Sequence, residues 1–365
     1  MKINVDRGSL PHTRKHKLRA WLFGLLFFFA VPATILLAIS VGPAGTGLSN
    51  GIVALLNPLI DALADDIPAL GHLQPEISPA TASLVWSIRL PRVLLAGLVG
   101  ASLAVAGATM QAVFRNPLAE PGVTGVSSGA AVVAVILIVT GVAAQAPWVL
   151  SAGAFAGALL AVLFVQTVAG MGGGSGATLL LVGIALNAFL GAVIAATIAN
   201  APHSDDAQQA MFWLNGDLTS ANWHDIALAV GPIVIGTTIL MTLIPELNLL
   251  LLGEEQAAAT GMRTVWMRQI LLALAALVTA AGVAVTGVIS FVGLVVPHLI
   301  RLLIGPDHRS VLPISMCLGA VFLILADLVA RSLFSPVALQ TGTITAFLGA
   351  PALLVLILRQ GGRQS

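Results

Sequence analysis

The feature that most constrains the fold of this sequence is a long stretch without formal charge. No Asp, Glu, Lys or Arg occurs in the 84 residues between Glu120 and Asp205. The whole chain is 58% hydrophobic and 8% charged, whereas a soluble domain has about 25% charged residues. A soluble fold is therefore excluded. Because a transmembrane helix needs about 20 apolar residues, the 365 residues predict an all-α polytopic membrane protein with about ten transmembrane helices.

A second apolar segment lies between two arginines. Arg92 and Arg115 enclose 22 uncharged residues, which as a helix would measure about 33 Å at 1.5 Å per residue. That length crosses a hydrocarbon core of about 30 Å. Gly100, Ala104 and Ala108 recur every four residues, so they predict a smooth helix face that another helix can approach closely.

The same segment begins a series of family motifs. RLPR at 89–92 is followed by GA-x-M-Q-x-x-F-x-NPLAEPG, by LLGE at 251–254 continuing to Gly261, by GVISFVGLVVPHLIRL from Gly287 and by DHRSVLP from Asp307. In these motifs the chain resembles the membrane permeases of binding-protein-dependent ATP-binding-cassette importers for iron–siderophores, haem and cobalamin. The resemblance covers most of the chain from about residue 85 onward. Whole-chain likeness points to the haem permeases, with siderophore and cobalamin as alternatives.

The distribution of charge predicts the topology. Residues 20–360 are expected to form one transmembrane permease domain between cytoplasmic tails at 1–19 and 361–365. Residues 42–85 would be an external loop and 246–268 a cytoplasmic coupling loop. Thirteen of the 16 Lys and Arg then lie in the cytoplasm, as the positive-inside rule requires. A cleaved signal peptide ending at 38–40 is the alternative for the first span, but its apolar region would be longer than usual.

The individual spans follow from the apolar runs. Between Arg268 and Arg301 lie 32 uncharged residues, which are too long for one upright span. We therefore expect two shortened helices with a break near Gly287 and Ser290. The other spans are predicted to lie near 20–40, 93–114, 127–143, 148–170, 178–200, 226–245, 311–330 and 342–358.

The cytoplasmic loop at 246–268 is unusually apolar for a solvated segment. An apolar helix outside the membrane needs a covering partner, and an interfacial helix lying on the bilayer would favour Lys and Arg on its polar face. This segment instead has glutamates. The resemblance implies that it docks into a groove on the ATP-hydrolysing subunit. The coupling residues carried over are Leu251, Leu252, Gly253, Glu254, Glu255, Ala257 and Gly261.

The glycine run at 172–176 is not a phosphate-binding loop, because no Lys-Ser/Thr follows it. No nucleotide-binding motif occurs in the chain, so ATP and Mg²⁺ are expected on a partner ATPase subunit and no cofactor is expected here. By resemblance, Gly176, Ala177 and Thr178 lie at the cytoplasmic gate. Relatives can carry small hydroxyl residues at the first two positions, and this chain keeps small side chains there. A plain flexible turn is the alternative.

Three basic residues fall on the outer side: Arg89, Arg92 and Arg331. Relatives use arginines at matching positions to hold glutamates on the binding protein, so the resemblance implies a docking rim. Contact with lipid phosphates and internal pairing are the alternatives, since Asp327 lies one helical turn before Arg331. Asp327 is also the one carboxylate placed inside a span, where an acid can serve in proton coupling; the local ion pair is favoured.

A weak internal repeat completes the pattern. AVAG at 104–107 with Pro117 matches AVTG at 284–287 with Pro297, at a constant offset of 180. The two copies would run in opposite directions, as in transporters built from inverted repeats. An ion-coupled secondary transporter uses similar repeats, but it should bury several carboxylates. By resemblance, the chain is expected in the bacterial inner membrane as a homodimer, with two ATPase subunits and a periplasmic binding protein as partners and no enzymatic activity of its own.

Overall fold

The computed structural model describes residues 11–42, 47–64, 77–172, 176–335 and 337–361. Every regular element in these ranges is helical. The predictions for the N-terminal tail, the external loop at 42–85, the glycine run at 172–176 and the tail at 361–365 concern segments that lie wholly or partly outside the described residues. The α-helices, in chain order, are α1 Pro11–Ser40, α2 Gly47–Ala64, α3 Pro79–Leu84, α4 Leu90–Val113, α5 Val126–Val139, α6 Val142–Gln145, α7 Pro147–Met171, α8 Gly176–Ala199, α9 Ser204–Leu214, α10 Trp223–Thr242, α11 Ile244–Leu252, α12 Glu254–Ala259, α13 Thr264–Thr286, α14 Val292–Ile304, α15 His308–Ser332 and α16 Thr341–Gly361.

The membrane-crossing helices agree with the predicted number. Within the described ranges, seven helical segments are long and apolar enough to cross a membrane, and three shorter apolar helices accompany them. The shorter ones belong to α5, α14 and α16. The break predicted between Arg268 and Arg301 is present at 287–291. However, α13 is a full-length span of 23 residues because it begins at Thr264, before Arg268, and only α14, with 13 residues, is short.

The second span starts earlier than its apolar run suggested. One helical segment of 35 residues runs from Pro79 to Val113, and Val85–Arg89 forms a π-helical turn within it. Pro91 explains this turn, because proline has no backbone N–H to continue the hydrogen bonds of an α-helix. The backbone N–H of Leu90 bonds the carbonyl of Val85, and the carbonyl of Trp86 accepts a bond from the Trp223 side chain at 2.9 Å. The widened turn therefore joins α4 to α10.

Helix α4 is the centre of the fold and crosses two neighbours at glycine contacts. A Cβ atom at Gly100 would overlap the Gly319 carbonyl of α15, and one at Gly107 would overlap the Gly293 carbonyl of α14. Ala104 lies against Gly319 on the same face. The predicted small-residue face is thus confirmed, since backbones touch there directly.

The helices repeat in an inverted order. Helices α4, α5, α7 and α8 have 24, 14, 25 and 24 residues, and α13, α14, α15 and α16 have 23, 13, 25 and 21. The helix contacts are also reciprocal between the two halves: α4 packs on α14 and α15 of the second half, and α13 packs on α5 and α7 of the first half. Four spans separate α4 from α13, so the two sets run in opposite directions. The match between AVAG and AVTG, which suggested the repeat, does not pair equivalent positions of the two halves. Gly107 lies inside α4, whereas Gly287 follows the end of α13.

Candidate functional site

The predicted coupling loop forms two short helices, α11 and α12, at one end of the bundle. Leu247 and Leu250 bury the inner face of α11 against the core, and Ala257 does the same for α12. Leu252 keeps 65% of its surface exposed. Leu251 is half-buried beside it. Helices α11 and α12 therefore have a buried inner face that anchors them and an exposed apolar outer edge.

Two polar contacts fix the coupling helices to the spans. Arg268 of α13 donates to Glu254 at 2.7 Å, and the acidic side chain also suits the N-terminal turn of α12. Asn248 of α11 accepts from the backbone N–H of His308 at 2.9 Å and donates to Asp307 at 2.8 Å. These contacts tie α12 to α13 and α11 to the start of α15.

The turn between the coupling helices requires glycine. Gly253 has φ +117° and ψ 154°, a conformation that side chains disfavour. The ideal Cβ position at Gly253 lies 3.6 Å from the Arg115 guanidinium. Arg115, at the end of α4, is therefore beside the coupling turn. Gly261, which follows α12, also has positive φ, at +88°.

One open cleft brings the predicted gate and coupling residues together. Its volume is about 750 Å³, and it lies between the ends of α4, α8 and the coupling helices. Two gate residues and four coupling residues line it: Gly176, Ala177, Leu252, Gly253, Glu254 and Glu255. Thr178 points instead towards Gly172. The cleft therefore places α11 and α12 beside the start of α8.

The predicted outer arginines form a buried group with Asp327. We call Arg89, Arg92, Arg331 and Asp327 the outer arginine cluster. The arginines are only 4%, 7% and 6% exposed. Arg92 forms a bidentate ion pair with Asp327, in which Nη2 lies 2.8 Å from Oδ1 and Nε lies 3.0 Å from both carboxylate oxygens. Thr341 also donates to Asp327 at 3.0 Å.

The predicted pairing of Asp327 with Arg331 is confirmed, but it is the weaker contact. Arg331 Nε lies 3.7 Å from Asp327 Oδ2. Arg331 Nη2 donates to the carbonyl of Ala38, and Arg89 Nη1 donates to the carbonyl of Ile39 at 2.7 Å. These carbonyls end α1, where a helix carries unsatisfied acceptors and partial negative charge. Three cations thus share one carboxylate and one helix terminus.

Two polar groups that the sequence reasoning missed support the spans. A helix carbonyl normally accepts the N–H four residues later, and for Gly293 that residue is Pro297, which has none. The buried Gln111 side chain donates to the carbonyls of Gly293 and Leu294 at 3.2 and 3.0 Å instead. In α8, Asn187 donates to the carbonyl of Gly122 at 3.0 Å. The signal available was that both are amides inside uncharged apolar runs.

Comparisons with known proteins agree with this architecture. The sequence profile of the FecCD transport family matches residues 29–359. The cobalamin import system permease protein BtuC of Halobacterium salinarum is 40% identical, over 89% of this chain and 92% of that protein. The hemin transport system permease protein HmuU of Yersinia pestis is 44% identical, over 77% of this chain and 85% of that protein. A solved metal-chelate type ABC transporter in an inward-facing conformation superposes with a TM-score of 0.77 at 30% identity, covering 92% of this chain and 98% of that one.

Proposed function

Because the chain belongs to the FecCD transport family, an ATP-binding-cassette permease family, we propose that it carries a metal-bearing macrocycle, either a haem or a corrinoid, across the membrane. The relatives named for cobalamin and for hemin are 40% and 44% identical. This similarity does not favour haem over cobalamin, so the substrate proposed from the sequence is widened to the class that both share. Uptake of haem and of cobalamin by the reconstituted importer, compared at equal concentration, distinguishes the two members of the class. Uptake of neither would contradict the macrocycle assignment.

The proposed assembly has three kinds of protein component. Two copies of this chain form a homodimer around the path, two ATPase subunits bind ATP and Mg²⁺, and a periplasmic binding protein delivers the ligand. The permease lies in the inner membrane with both termini in the cytoplasm. The domain boundaries proposed from the sequence are kept, with 42–85 outside and 246–268 inside.

The single observation that carries the coupling proposal is the shared cleft. Leu252 and Glu255 expose an apolar and an acidic group on its rim, and Gly176 and Ala177 form the opposite wall. An ATPase subunit seated on α11 and α12 would therefore lie close to the proposed gate at 176–178. Residues 251–255 and 261 are proposed as its coupling surface, and the buried Ala257 is proposed to anchor α12 beneath it.

Transport is expected to require ATP on the partner subunit and to survive collapse of the proton gradient. The reason is that Asp327, a carboxylate buried in a described span, already forms contacts with Arg92, Arg331 and Thr341, as expected of a structural ion pair. The measurement is ligand uptake into proteoliposomes with ATP, with a protonophore, and with a pH gradient alone. Uptake driven by the pH gradient without ATP would reject the ATP-driven proposal in favour of a secondary transporter.

The docking role of Arg89, Arg92 and Arg331 remains a prediction, and Arg89 offers the cleanest variant. Arg89→Gln removes the charge while keeping a polar side chain. Capture of the binding protein by the solubilised complex should weaken about five-fold at low salt, equivalent to about 1 kcal/mol, because the buried charge still contributes to the electrostatic potential of the outer surface. The difference should shrink at high salt, because screening weakens the attraction.

The matched control is Arg19→Gln, which removes an exposed arginine on the opposite side of the predicted topology. Its binding-protein affinity should equal that of the parent at both salt concentrations. If Arg89→Gln also binds as the parent does at low salt, the arginines serve only the internal contacts.

A further inference from the structure

A groove along the lipid-facing side of α1 and α15 plays no part in the transport proposal. Its first part has a volume of about 550 Å³ and lies between the starts of the two spans. The second part, of about 430 Å³, continues between α1, α4 and α15. The two parts share Phe28 and Cys317, so they form one continuous groove.

The length and lining of the groove suit an acyl chain. On α1 it extends from Ala20 to Ile35, about 22 Å at 1.5 Å per residue. One leaflet contributes about half of a 30 Å hydrocarbon core, so the groove runs past the middle of the bilayer. Its walls are almost entirely apolar, and Gly24, Gly97 and Ala101 leave space at its floor because they carry little or no side chain.

The cytoplasmic end of the groove differs from the rest. Arg309 and Ser310 line it, and Arg19 is exposed one residue before Ala20. Trp21 lines the same end and is 70% exposed, as expected of an aromatic residue at the membrane–water interface. The nearby carboxylate of Asp307 already accepts bonds from Asn248 and from the backbone N–H of Arg309. Two cations therefore face the head-group level against one engaged carboxylate.

We propose that this groove binds one anionic glycerophospholipid of the cytoplasmic leaflet, with its phosphate on Arg309 and an acyl chain beside Phe28 and Cys317. A second copy of the chain fits this surface less well, because a two-fold interface presents the same patch on both subunits and would bring the basic ends together. A zwitterionic lipid would fill the apolar groove, but the ammonium of its own head group would offset the phosphate that faces the arginines. The basic cytoplasmic end of the groove suits an anionic head group, and the long apolar part suits an acyl chain, so an anionic lipid fits the groove best.

The single cysteine of the chain provides the test. Cys317 is partly exposed where the two parts of the groove meet, so a bound acyl chain should shield it from a maleimide. Labelling is followed on the permease band of the detergent-solubilised complex, with dioleoyl-phosphatidylglycerol or dioleoyl-phosphatidylcholine added. Phosphatidylglycerol should slow labelling about five-fold more than phosphatidylcholine at equal concentration, the effect expected of one basic residue at an anionic head group. Inorganic phosphate alone should leave the rate unchanged.

Variants separate the head-group contact from general attraction. Arg309→Gln should abolish the difference between the two lipids, whereas Arg263→Gln, which removes an exposed arginine outside the groove, should preserve it. Gly24→Leu, placed on the groove floor, should lower the phosphatidylglycerol that co-purifies, as measured by mass spectrometry. Equal protection of the parent by both lipids, or full selectivity in Arg309→Gln, would overturn the proposal, and protection by inorganic phosphate would assign the site to the free anion.

Discussion

Replacing Asp327 with asparagine is expected to destabilise the protein by about 3–5 kcal/mol, the usual cost of removing one partner from a buried ion pair. Arg92 and Arg331 would keep their positive charges while only 7% and 6% exposed, and a neutral amide cannot replace the bidentate carboxylate. The measurement is the thermal unfolding midpoint of the purified protein in detergent. This is the largest stability effect that we expect from a single polar substitution.

Two comparisons make the Asp327 result specific. Asp205→Asn, which removes an exposed carboxylate, should unfold like the parent. The double variant Arg92→Met with Asp327→Asn should be less destabilised than the sum of the two single variants, because each residue is the other's closest charged partner. Strictly additive losses, or an Asp327→Asn protein as stable as the parent, would show that the cluster contributes no coupled stability.

Leu252→Asp is expected to have the largest effect on transport. The side chain is 65% exposed on the rim of the cleft, so the change should spare folding while placing a charge in the proposed ATPase interface. Uptake and co-purification of the ATPase subunit should both fall at least about ten-fold, the equivalent of 1.4 kcal/mol of lost binding. Leu251→Asp, next to it on α11, should act in the same direction.

The control for Leu252 is another exposed leucine outside the cleft. Leu118 is 43% exposed in the connection after α4 and does not line the cleft. Leu118→Asp should therefore leave co-purification of the ATPase subunit near the parent level. Unchanged co-purification in Leu252→Asp would remove α11 and α12 from the docking surface.

The sequence predicted those features that depend on local composition. Apolar length fixed the number of spans, and the spacing of Gly100 and Ala104 correctly indicated a close helix crossing. The grouping of Leu252 with Gly176 in one cleft was not derivable from the residues alone, because it depends on how α8 approaches α11 in three dimensions. The family resemblance supplied both segments, and the structure placed them together.

The prediction was incomplete where a distant partner contributes. Asp327 pairs with Arg331 as expected, but its closer partner Arg92 lies 235 positions away and cannot be recognised from sequence spacing. The early start of the second span escaped detection for a similar reason. The π turn before Pro91 leaves the Trp86 carbonyl without a donor from its own helix. The Trp223 side chain of α10, which is distant in sequence, donates a hydrogen bond to this carbonyl.

The glycine crossings give the bundle a mechanical property. Where Gly100 meets Gly319, the surfaces in contact are main chain, and no side chain can change rotamer to absorb a displacement. Helix α15 is bonded to α11 through Asn248 at His308 and carries Asp327 roughly 28 Å further along, at 1.5 Å per residue. A displacement of α11 is therefore expected to pass to α15 through the Asn248 contact, and the glycine crossing with α4 would limit how much side-chain repacking absorbs it before the outer arginines.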